Sequence, residues 1–143
     1  MALRGKKCKV FAAPADVLLD AAEKKIERYE ESESIVQPDI FVVCDETKLT
    51  DKFCKGAPDF IIEIMLPSSG VRDQIEKVDL YEKYGVREYW IVQIEEQCLI
   101  IHTMQDDQKF SAPVFLPGTG KRSVQTIEGL EIDLDLVFQA IEK

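Results

Sequence analysis

Two acidic residues in this chain stand where acids are costly to place. Glu63 sits inside FIIEIM, residues 60–65, between Ile62 and Ile64, and Asp39 follows Pro38 at the head of the apolar run IFVV, residues 40–43. A charge carried into apolar surroundings costs several kcal/mol unless it is paired, hydrogen-bonded, bound to a metal or neutralised by a proton. A glutamate kept in a run that otherwise reads as a doubly buried strand therefore calls for a use, and the uses open to it are cation binding and proton transfer.

Strand alternation sorts the acids. Asp39, Phe41 and Val43 share one face of the first run, and Asp59, Ile61, Glu63 and Met65 share one face of the second. Asp59 and Glu63 lie roughly 13 Å apart along an extended chain, too far for one metal ion. If the two runs are antiparallel neighbours, Asp39 comes beside Glu63, and Asp59 falls beside Cys44 and Asp45. Asp39 and Glu63 then converge on one cation. Two carboxylates with several retained waters suit Mg²⁺ (or Mn²⁺), and such a centre suits hydrolysis of phosphodiesters.

That chemistry also needs positive charge near the attacking water or the phosphorus, and Lys77 is the candidate. At 100° per residue, Asp73, Lys77, Leu80, Tyr81 and Tyr84 fall on one face of a helix, opposite Val71, Ile75 and Val78. Such a helix is expected to pack on both sides, with Lys77 turned toward the strands. The competing reading is a surface pair of Asp73 with Lys77 at i,i+4, worth about 0.3–0.5 kcal/mol. The residues alone leave both open. His102, flanked by Ile101 and Thr103, reads as structural, and Trp90 as core.

The elements that must hold these groups follow from patterning. KCKVFAAPADVLL reads as an extended strand bent at Pro14, and the charged stretch to Gln37 as a short helix or a solvated excursion. The two acid-bearing runs are strands, and ETKLTDKFCKGA is a connection with one helical turn. VRDQIEKVDLYEKYG is a helix stopped by Gly85. Two strands around EEQ follow, then a third in QKFSAPVFL, and the tail closes as a strand or short helix. The order implies an α/β sheet of mixed strand directions.

Length and composition set the frame. A chain of 143 residues with 45% hydrophobic and 8% aromatic residues fits a single domain, residues 1–143. No apolar run approaches the roughly 20 residues that span a bilayer, and no apolar stretch follows the basic N-terminus as in a secretory signal, so a cytoplasmic protein without membrane contact is expected. The four cysteines show no metal-type spacing and read as reduced, small core residues. A net charge of −9 disfavours non-specific attraction to nucleic acid over the whole surface, leaving a local groove or metal bridging as routes to phosphate.

The ordered segments VFAAPADVLL, VQPDIFVVCD, GAPDFIIEIMLPSS and DQIEKVDLYEKYGVREYWIV resemble the Uma-two-type endonuclease family, a branch of the PD-(D/E)XK nuclease superfamily, from about Val10 to Val92. The resemblance implies a restriction-endonuclease-like fold, a mixed β-sheet flanked by helices. It assigns the PD aspartate to Asp39 and the acid of the second half-motif to Glu63. Met65 stands where the superfamily has lysine, and the lysine is displaced to Lys77, with Asp73 one turn before it. The implied activity is a Mg²⁺- or Mn²⁺-dependent endonuclease acting on nucleic acid, DNA before RNA, and since many small domains of the superfamily pair, a homodimer is one option. Relatives begin with a further helix and an acidic stretch, so the N-terminal helix is expected to be missing or shortened. Leu66 replaces a serine beside the site, near Ser68. The alternative is a catalytically inactive nuclease-fold module for binding or assembly, motivated by that missing segment and by the net charge.

Overall fold

The computed structural model describes residues 8–66 and 70–141. In chain order the first half comprises β1 (Lys9–Ala12), β2 (Asp16–Leu18), α1 (Ala21–Lys24), β3 (Ile35–Val36), β4 (Ile40–Val43), β5 (Phe53–Lys55) and β6 (Phe60–Met65). The second half comprises α2 (Gly70–Tyr84), β7 (Glu88–Gln93), β8 (Cys98–Thr103), β9 (Val114–Pro117), β10 (Lys121–Ser123), β11 (Glu131–Asp133) and α3 (Leu134–Ile141). A six-stranded sheet runs β1-β4-β6-β7-β8-β9, beside a three-stranded sheet β3-β2-β5 and the pair β10-β11. In the large sheet β6 and β7 are parallel and the other neighbours antiparallel, a mixed sheet as the sequence pattern implied.

The parallel step needs a crossover, and α2 supplies it. Gly85, at φ 82°, ends α2 in a left-handed residue. There the Val86 N–H donates to the Tyr81 carbonyl and the Gly85 N–H to the Glu82 carbonyl, the paired bonds of a Schellman stop. Val86 is fully buried, and two residues later the chain is in β7. The helix is thus set at a fixed angle over the strand it feeds.

Each face of the large sheet carries its own core. On one, Phe41, Ile61, Met65, Tyr89 and Ile91 meet Tyr81 of α2, Val17 and Cys54 of the small sheet, and Leu19 just after β2. On the other, Val42, Phe60, Ile62, Trp90 and Val92 are covered by Val124, Ile127, Leu134 and Phe138. Trp90 is fully buried there, as expected of a core residue.

Three expectations are corrected. On the second side of helix α2 only Val78 reaches the core, since Val71 and Ile75 are 74% and 55% exposed, while the face with Lys77 and Tyr81 turns to the strands. Burying a tyrosine ring removes more apolar surface than burying either aliphatic, provided its hydroxyl finds a partner, and here it does. The cysteines are not all reduced: Cys8 and Cys44 form a disulfide. The antiparallel register that sets Lys9 against Val43 continues one step to set Cys8 against Cys44, with Cα atoms 3.9 Å apart. Finally, the connection after β4 holds the helical turn, at Glu46–Lys48, but then the short strand β5, which pairs with β2. The expected loss of an N-terminal helix concerns residues 1–7, outside the described residues. Among the described residues no helix is long and apolar enough to cross a membrane.

The charged stretch after β2 is an anchored excursion. Asp20, fully buried, accepts from the Ser32 hydroxyl at 2.6 Å and the Glu33 N–H at 2.9 Å, and pairs with Lys24 at 3.3 Å. Burial alone would raise its pKa, but these donors outweigh burial and hold it at about 2. Because the folded value is depressed, the stabilisation is complete above the ordinary value of 3.8 and is lost as pH falls through about 2. Urea midpoints measured from pH 5 to 2 should therefore fall more steeply for the native chain than for Asp20→Asn.

Glu88 is buried on the opposite face of the sheet from Glu63 and accepts from Trp90 Nε1 at 2.7 Å and the Thr126 N–H at 3.0 Å. It ties the segment between β10 and β11 to the sheet. Glu88→Ala strands both donors in a dry place, and urea unfolding should register a loss of about 2–4 kcal/mol.

Candidate active site

Glu63 leaves β6 on the face that α2 covers and is 4% exposed. Its carboxylate is enclosed by donors. Tyr81 donates to Oε1 at 2.6 Å, Tyr89 donates to Oε2 at 3.1 Å, and Lys77 Nζ reaches Oε1 at 3.1 Å and Oε2 at 3.3 Å. Local structure dictates the set. Lys77 and Tyr81 are four residues apart on α2 and so share a face. Tyr89 pairs with Ile61 across the parallel step while Ile91 pairs with Glu63, which puts Tyr89 on the same face as Glu63 and one pleat away.

The two tyrosine rings pack edge to face with centroids 4.8 Å apart. Burial, then the negative charge of Glu63 and the hydrogen bond to it, push both hydroxyls well above the ordinary tyrosine range, with Asp39 adding to each. The hydroxyls are therefore held as donors. His102 lies within 6.1 Å of the Tyr89 ring and 5.4 Å of the Phe110 ring, and burial lowers its pKa despite the charge of Glu82.

Asp39 immediately precedes β4. The antiparallel register that pairs Ile40 with Ile62 continues to place Asp39 opposite Glu63, and directly opposed residues of such a pair project to the same face. Asp39 Oδ2 accepts the Ile64 N–H at 2.7 Å, which ties its carboxylate to the strand that carries Glu63.

The fold thus brings Asp39, Glu63 and Lys77 into one neighbourhood. Lys77 bonds Glu63 across the helix–sheet junction, the inward choice of the two readings, and Asp73 is exposed. Asp59 lies where antiparallel pairing sends it: Oδ1 accepts the Cys44 N–H at 2.8 Å, and Arg87 stands 3.5 Å from Oδ2. That is a structural acid. Ser68 lies outside the described residues.

Sequence reasoning did not assign the tyrosines to the site, although Tyr81 was placed on the face of Lys77. The signal was the glutamate itself, since a carboxylate inside a dry strand needs several donors and buried tyrosine hydroxyls need acceptors.

Among the described residues no cluster of three or more His, Cys, Asp and Glu side chains is arranged to hold a metal. What the site offers a cation is the Asp39 and Glu63 carboxylates, hard oxygen donors of the kind Mg²⁺ and Mn²⁺ take together with retained waters. The donor chemistry fits a divalent cation of that class.

In fold the chain is similar to a solved structure from Anabaena variabilis ATCC 29413, described as a "putative nuclease belonging to DUF820", with a TM-score of 0.65 and 16% identity over 95% of this chain and 70% of that one. At that identity the likeness is one of architecture, and the class is the restriction-endonuclease-like α/β fold. The family model Uma2, described as "Putative restriction endonuclease", matches residues 2–135, and the chain belongs to that family. No curated protein matches it.

The donor role of the tyrosines has a consequence at alkaline pH. A folded pKa raised above the ordinary 10.0 means that stability is intact below pH 10 and declines as pH rises toward the folded value, by about 1.4 kcal/mol per pH unit for each tyrosine. Urea unfolding between pH 9 and 11.5 should show that decline in the native chain and a shallower one in Tyr81→Phe and in Tyr89→Phe. Equal slopes would mean that the hydroxyls are not buried donors.

Proposed function

We propose that this chain is a divalent-cation-dependent endonuclease that hydrolyses phosphodiester bonds of nucleic acid, DNA in the first instance. The observation that carries the proposal is the Lys77 bond to both oxygens of Glu63, on the strand whose backbone also holds Asp39. An acid from each of two adjacent strands and an ammonium group within bonding distance of one of them is the set that phosphodiester hydrolysis needs. Membership of the Uma2 family supports the same reading.

In this reading Asp39 and Glu63 hold the cation. When bound, Mg²⁺ or Mn²⁺ supplies Lewis acidity at phosphate and eases deprotonation of water. Tyr81 and Tyr89 orient Glu63, and their edge-to-face packing keeps its carboxylate in one rotamer. Lys77 stabilises the charge that builds on the phosphoryl oxygens or aligns the attacking water. The water oxygen forms the new P–O bond and the bond to the leaving oxygen breaks; the proton lost by the water passes to solvent, and the leaving oxygen gains one. The site lies in a chain of net charge −9, so the cation also offsets repulsion of the phosphate backbone.

A two-fold homodimer would let two such sites address two strands. We place the enzyme in the cytoplasm, although the Cys8–Cys44 disulfide is a bond that oxidising compartments favour. The second reading, a binding or assembly module on the same scaffold, draws on the lack of a third metal-type side chain beside Asp39 and Glu63 among the described residues.

The test is plasmid and oligonucleotide cleavage with Mg²⁺ or Mn²⁺. The native chain should cut, and Asp39→Ala, Glu63→Ala and Lys77→Ala should each be slower by about 100-fold or more while remaining folded. Equal rates in all four proteins would end the nuclease assignment, and no cleavage by any of them would favour the module.

A further inference from the structure

A carboxylate has two oxygens and about four acceptor directions. At Glu63 these are taken: Oε1 by Tyr81 and Lys77, Oε2 by Tyr89 and Lys77. Nothing is left for a cation until one donor withdraws. The three donors are not equally free to do so. Tyr81 and Tyr89 are fully buried and packed against each other, so freeing either hydroxyl means moving an aromatic ring through a close-packed core. Lys77 is 28% exposed at its side chain, makes the longest of the four contacts, at 3.3 Å, and sits at the end of a flexible four-carbon stem.

We propose that Lys77 is the counter-ion of Glu63 while no divalent cation is present, and that it leaves Glu63 when one arrives. The inference rests on the nuclease reading and adds a coupling to it. Without Lys77 the buried carboxylate would have two neutral donors and no compensating charge, a costly state. With a cation in place the compensation comes from the metal, and the ammonium is released toward solvent, where an anionic phosphodiester would meet it. One lysine therefore serves the ligand in one state and the substrate in the other, and metal affinity is lowered by the contact that must first be given up.

The experiment is calorimetric titration of the full chain with Mn²⁺ alone, at one pH, in the native protein, Lys77→Met, Lys77→Gln and Lys83→Met. Lys83 lies on the same helix, is exposed and stacks over Tyr84, so its removal changes net charge equally without touching Glu63. Removing a charged hydrogen-bond competitor should tighten Mn²⁺ binding about tenfold in both Lys77 variants. Lys83→Met should change it no more than about twofold. Unchanged or weaker binding in the Lys77 variants, or equal tightening in Lys83→Met, overturns the exchange. Absence of saturable Mn²⁺ binding in every protein overturns the nuclease reading along with it. A measurement on the native chain covers the case in which the Lys77 variants do not fold: acylation of Lys77 by an amine-reactive ester, followed by mass spectrometry, should speed up several-fold on saturation with Mn²⁺. An unchanged or slower rate overturns the proposal.

Discussion

A carboxylate held inside a sheet by two tyrosines and an ammonium group is the interaction around which the molecule is arranged. Glu63 could not stand in β6 without compensation, and each compensating group comes from a different constraint. Lys77 and Tyr81 arrive together because they are one turn apart on α2. Tyr89 arrives because β7 pairs with β6 in a register that puts it on the same face. The Schellman stop at Gly85 and Val86 joins these constraints, since it fixes where the helix ends and the next strand begins. Strand, helix and strand are closed on one another through a single side chain.

Glu88 shows what burial by itself does not imply. It too is a glutamate with no exposure in a central strand, yet its partners are an indole N–H and a backbone N–H, and no lysine, arginine or second acid is among them. It fastens the C-terminal segment to the sheet. What separates Glu63 is the cation it already holds and the aspartate opposite it on the next strand. A buried acid becomes a candidate for chemistry through its neighbours, because the same desolvation cost can be met equally well by a purely structural set of donors.

The N-terminal third repeats that logic at a smaller scale. Asp20 gathers Ser32, Glu33 and Lys24, so a charged segment that read as a short helix or a solvated excursion begins with the short helix α1 and is folded around one acid. The disulfide closes β1 against β4 at the end of the strand remote from Asp39, so it braces the sheet edge rather than the site.

Strand alternation and helical periodicity were enough to foresee β4, β6, α2, β7 and β8, and antiparallel pairing of the two acid-bearing strands was enough to pair Asp39 with Glu63 and to send Asp59 to Cys44. These are consequences of local geometry, which a sequence carries in its spacing. Which face of α2 would be buried was not local: Val71 and Ile75 are as apolar as core residues, and only the docking of the helix over β6 decided that Lys77 and Tyr81 would turn inward. The same holds for the union of Cys8 with Cys44 across 36 residues and for the convergence of Tyr81 and Tyr89 on one carboxylate. Contacts between residues far apart in the chain depend on register and on helix placement together, and neither is written in any one segment.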